Sequence, residues 1–121
     1  MGISRIEDLD VWVLGMDIAV DAYSLTKTPP LNRDYGLSDQ IRRSAVSIPA
    51  NVAEGYGRYG EREFSRFVSI ARGSCFELFT LLRIASRTEC CAEADLKDIN
   101  QEIETEIKKL TSLRSHLSGG G

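Results

Sequence analysis

Apolar residues in this chain recur every three or four positions, in four blocks, and nowhere alternate with polar residues at a period of two. Helices satisfy that rhythm and strands do not. The blocks predict helices over about 7–26, 38–57, 61–87 and 94–117. The breaks between them are short, which makes sequential helices antiparallel neighbours. The expected fold is all-α, an up-down-up-down four-helix bundle forming one domain over 1–118, with a disordered tail at 119–121.

The first block carries two apolar lines, Leu9, Trp12, Met16, Ala19, Tyr23 and Val11, Leu14, Ile18, Ala22, Leu25, against one polar strip of Asp10, Asp17, Asp21 and Ser24. A helix packed on one neighbour needs less apolar surface than this. Gly15, mid-helix, costs about 1 kcal/mol relative to alanine and suits a close contact. Pro29 and Pro30 end the block, and Ser38 is the expected N-cap of the next. Pro49 inside the second block either kinks that helix or splits it, with Ser47 capping a restart. Gly55, Gly57 and Gly60 are expected to close it. The third block buries Phe64, Phe67, Ala71, Cys75, Leu78, Leu82 and Ala85, widened by Phe76, Phe79 and Ile84. Its Gly73–Ser74 pair is expected where another backbone approaches. The fourth block shows one stripe, Leu96, Ile99, Ile103, Ile107, Leu110, Leu113, Leu117, so it buries one face only. Helices one to three are too apolar for a lone bundle, and an oligomer is expected.

The second helix also carries a wholly polar line, Gln40, Arg43, Ser47, Asn51, Glu54 and Arg58, spaced by threes and fours. Amides, hydroxyl, carboxylate and guanidinium are the groups that build hydrogen-bond networks. The line serves either as an internal network holding helix to helix or as a contact to another chain or ligand. Arg42 lies opposite, among Ala45, Pro49 and Ala53, where burial demands a partner charge. Glu77 is the expected partner, within or between chains.

The net charge is −3 and unevenly spread: residues 37–88 carry +3 and each flank −3. This is not the balance of a nucleic-acid binder, although a local basic patch is compatible with it. Arg58, Arg62 and Arg66 follow at intervals of four, with Arg43 expected at the edge of their patch. No apolar run approaches the ~20 residues of a membrane span. Acids in the opening MGISRIEDLDVW stand where an export signal would be basic and then apolar, so a cytoplasmic location is expected. Three cysteines make no disulfide framework, and with His116 as the sole histidine they show no zinc spacing. No metal or other cofactor is expected. Glu54 and Glu77 are single carboxylates, and GYGRYG lacks the preceding strand and the lysine of a phosphate loop. No catalytic constellation is present, and a non-enzymatic role is expected.

The segments LDVW at 9–12, YGLSDQIRRSAVSIPANVAEGYGR at 35–58 and EFSRFVSIARGSCFEL at 63–78 resemble the four-helix-bundle proteins encoded by intervening sequences in bacterial 23S rRNA genes. That family is similar to the accessory variability proteins of retroelements, which form pentamers, bind nucleic acid and partner a reverse transcriptase. The resemblance implies a homopentamer, a role with structured RNA, and a reverse transcriptase or other protein as partner. Two departures stand out. Thr88-Glu89-Cys90-Cys91 replaces the family's Leu-Gly-Tyr turn, and the chain is acidic where the retroelement proteins are strongly basic. The latter weighs against nucleic-acid binding and leaves a protein-interaction scaffold as the alternative.

Overall fold

The computed structural model describes residues 5–117, so the expected tail at 119–121 lies outside them. Among the described residues there are four α-helices, α1 (Asp10–Thr26), α2 (Tyr35–Tyr56), α3 (Glu61–Arg87) and α4 (Lys97–Leu117), and no strand. Short 3-10 turns at Ile6–Asp8, Leu31–Arg33 and Glu93–Leu96 precede α1, α2 and α4. Consecutive helices pack side by side, and α4 returns to close the square against α1.

The boundaries differ from expectation where local chemistry overrides the apolar rhythm. Residues 6–8 form a separate turn, so α1 starts at Asp10 rather than near residue 7. Helix α2 starts three residues before the expected 38 because Asp34, not Ser38, is its cap: Asp34 Oδ1 accepts from the Leu37 N–H at 3.0 Å. Ser38 is buried one turn inside, its hydroxyl donating to the Leu31 carbonyl at 2.8 Å. Pro49 is buried within α2, which runs unbroken for 22 residues, so no restart at Ser47 occurs. Gly55 lies inside the helix, and Tyr56 is its last residue. Gly60, at φ 88°, makes the turn into α3.

The core is built from Ile18, Leu31, Ile41, Ile48, Leu78, Leu82, Leu96, Ile103 and Leu110, all fully buried or nearly so. Gly15 is a close contact as its sequence position suggested. A Cβ there would stand 3.3 Å from Pro49 Cβ and 3.2 Å from Glu106 Oε2. Gly73 is not: a Cβ there meets nothing within 4 Å, and no backbone of this chain approaches it.

The apolar surplus stays outside. Val13, Met16, Val20 and Tyr23, spaced by threes and fours along one face of α1, are exposed, Val20 to 60 %. On α3, Phe76 and Phe79 are 47 % and 41 % exposed and line a groove of about 760 Å³ against α4, with Ile103 and Ile107 as floor and Arg83 and Lys97 among its charged residues.

Candidate functional site

The polar line on α2 divides into three parts. Its middle is internal: Ser47 Oγ and Ser74 Oγ are 2.7 Å apart across the α2–α3 contact, and Asn51 Nδ2 donates to both the Ser47 carbonyl and Ser47 Oγ at 2.8 Å. Ser74 is buried, so the small residue at that point serves a hydrogen bond between helices. Gln40, at one end, is exposed and takes no part in this network. Glu54, at the other end, turns to Arg58 on the surface.

The expected Arg42–Glu77 pair does not form within the chain. Arg42 is half-buried, donates from Nε to Thr26 Oγ1 at 2.8 Å and stacks 4.7 Å from the centre of the Tyr23 ring. Glu77 is exposed. The long arginine stem reaches the α1 surface, where a hydroxyl and a ring face satisfy its head without a buried counter-charge.

Arg58 and Arg66 do come together, over the Phe67 ring, at 5.1 and 4.5 Å from its centre. The turn at Gly57–Gly60 makes this possible by bringing the end of α2 to the start of α3. Both guanidiniums are already engaged. Arg58 Nη2 lies 2.8 Å from Glu54 Oε2, and Arg66 Nε lies 3.2 Å from Glu63 Oε2. The Arg66 hydrogen bond holds the Glu63 carboxyl below its usual range, with lesser pulls from Arg58 and Arg62. Arg62 is exposed and forms no ion pair among the described residues. Arg43 is not at the patch edge. It pairs with Asp39 at 2.8 Å, and thirteen residues of α2 put it ~20 Å along the axis from Tyr56, the helix end nearest Arg58. An amphipathic apolar pocket of about 270 Å³ adjoins this corner, lined by Leu9, Tyr56, Phe64 and Leu113 with Arg58 and His116 among its walls.

Sequence reasoning missed Glu106. It is completely buried, and neither carboxyl oxygen has a hydrogen-bond partner. Burial, with a further push from Asp10, raises its pKa to about 8, so it is neutral through most of the physiological range. The signal was its register. Ile99, Ile103, Glu106, Leu110, Leu113 and Leu117 run in alternating fours and threes, so Glu106 occupies a core position in the α4 stripe. Leu113 and the parallel choice, Ile107, are only partly buried. Cys75 is buried as expected, and desolvation pushes its thiol up to about 12, which removes it as a nucleophile.

These elements define a class: an all-α bundle whose surface carries apolar faces and one arginine–aromatic corner. The chain belongs to the 23S rRNA-intervening sequence protein family, whose profile matches residues 7–112. Among solved structures it is similar to a protein of unknown function from the S23 ribosomal protein family of Bacteroides thetaiotaomicron. The two share 25 % identity over 86 % of this chain and 97 % of that one, with a TM-score of 0.78. No curated protein matches it. No helix among the described residues is long and apolar enough to cross a membrane.

Proposed function

We propose that this protein is a non-catalytic, self-assembling bundle that binds structured RNA through the Arg58–Arg62–Arg66 corner repeated around a cyclic oligomer, a pentamer by family resemblance. The observation that carries the reading is the pair of exposed apolar surfaces, Val13–Tyr23 on α1 and Phe76–Phe79 on α3. A monomer leaves both in water, and a ring of copies covers them. Repetition then multiplies a weak corner. Arg62, in no ion pair among the described residues, offers its fork to phosphate, and Arg58 and Arg66 can exchange glutamate for phosphate at little loss, because exposed pairs are worth only about 0–1 kcal/mol each. A protein partner such as a reverse transcriptase belongs to the same reading, and its site of action is the cytoplasm.

The alternative is a protein scaffold without nucleic-acid binding. It is favoured by Glu54 and Glu63, which hold two of the three arginines, and by the net charge of −3. A salt series separates the two. Binding to structured RNA should weaken with added salt in proportion to the phosphates contacted. The Arg58→Ala/Arg62→Ala/Arg66→Ala variant should lose affinity and flatten that slope. A slope identical to wild type, or no binding at low salt, selects the scaffold.

A further inference from the structure

We propose that the seam between α1 and α4 is a proton-held latch: Glu106 and Glu102 keep α4 seated against α1 while they carry protons, and α4 loosens as they ionise.

The geometry is that of a carboxyl with nowhere to place a charge. Glu106 Oε2 stands 3.2 Å from where a Cβ on Gly15 would be, so the missing side chain at position 15 is what makes room for the carboxyl. Against the same Gly15 position α2 presents the apolar Ile48 and Pro49. From α3 the ionisable neighbour is Cys75, whose thiol stays protonated, and Arg72 beyond it is engaged with Thr111 at 2.8 Å. From α1 the charged neighbour is Asp10, of like sign. On α4 itself the compensating charge is Lys109, but its Nζ is held by Asp10 Oδ2 at 2.8 Å on the outside of the seam. Neither Glu106 oxygen accepts a hydrogen bond.

One turn earlier Glu102 repeats the arrangement nearer the surface. One of its oxygens is buried without a partner, and its carboxyl faces Asp21 and Asp17 of α1 and Asp98 of its own helix. Desolvation first, then Asp21, raises Glu102 to about 7. Among the described residues, Lys109–Asp10 is the ion pair that crosses this seam. Beside the apolar packing of Val11, Ile18 and Ala22 with the α4 stripe, the charge state of the two glutamates then bears on its strength.

The sign follows from linkage. Both folded-state pKa values lie above the unfolded value of about 4.5. The stability associated with the protonated seam is thus fully present below pH ~4.5 and is lost as pH rises through 7 and 8. Each proton that folding takes up lowers the folding constant about tenfold per pH unit in that window.

The test uses the full chain. Its folding constant, from urea titrations at pH 5, 6, 7, 8 and 9, should fall steeply to about pH 8 and then level. Glu106→Gln should remove about one decade per pH unit from that fall. Glu106→Leu should do the same and, if the amide variant fails to fold, replaces it. Hydrogen-exchange protection factors should drop with pH at the amides of α1 and α4 while those of α2 and α3 hold. A carboxyl carbon signal of Glu106 titrating near 4.5, an unchanged slope in both variants, or an equal loss of protection in all four helices would each overturn the latch.

Discussion

Gly55 and Gly73 look alike as glycines within helices, yet the structure makes opposite use of them. A Cβ on Gly55 would fall 2.7 Å from Phe67 Cβ and 3.0 Å from Phe64 Cδ1, so α2 and α3 touch through the missing side chain. Gly55→Ala should lower stability by about 1–3 kcal/mol through overpacking. Gly73→Ala meets open space in this chain and should raise it by about 0.5–1 kcal/mol through helix propensity. Urea midpoints of the two variants check both signs. Sequence position puts Gly55 at a helix end and Gly73 at a close approach, and the structure reverses the two, because what decides is the distance to another helix. The same holds for Arg42: its angular position announced partial burial, but the partners Thr26 and Tyr23 belong to α1 and depend on how the two helices cross.

At the scale of the element, apolar rhythm located all four helices, and capping chemistry moved their ends. Asp34 caps α2 across a 3-10 turn that carries no apolar periodicity, which is why a start at Ser38 looked preferable. Asp34→Ala should cost about 1 kcal/mol. The loss should concentrate in the first turn of α2, read as faster hydrogen exchange at the Leu37 and Ser38 amides. In α4 the one stripe read from the sequence runs through Ile107, while the same spacing also runs through Glu106. Hydrophobicity favoured Ile107, while packing buried Glu106 fully and left Ile107 partly covered. A rule that ranks residues by polarity cannot find a carboxyl the bundle keeps protonated.

For the whole molecule, the exposed faces of α1 and α3 carry the assembly prediction. Val20→Glu and Phe79→Glu each place a charge on a different exposed apolar face and should reduce the oligomer to monomer without unfolding it. Light scattering with circular dichroism reads mass and fold together. A wild type already monomeric at micromolar concentration would sink the prediction. Loss of the ring should also cost RNA affinity in variants that keep every arginine, since avidity depends on repetition.

The number, type and order of the helices were legible in the sequence, because periodic apolar spacing is a local property that each segment carries by itself. The grouping of Arg58 with Arg66 was legible too, since spacing of four along one helix and a glycine turn both act over short range. What required the tertiary structure was every choice of partner between helices: Ser47 with Ser74, Arg42 with Thr26, and Glu106 with the gap left by Gly15. Those depend on rotation and approach of one helix against another to within about an ångström, and packing of the whole core sets both.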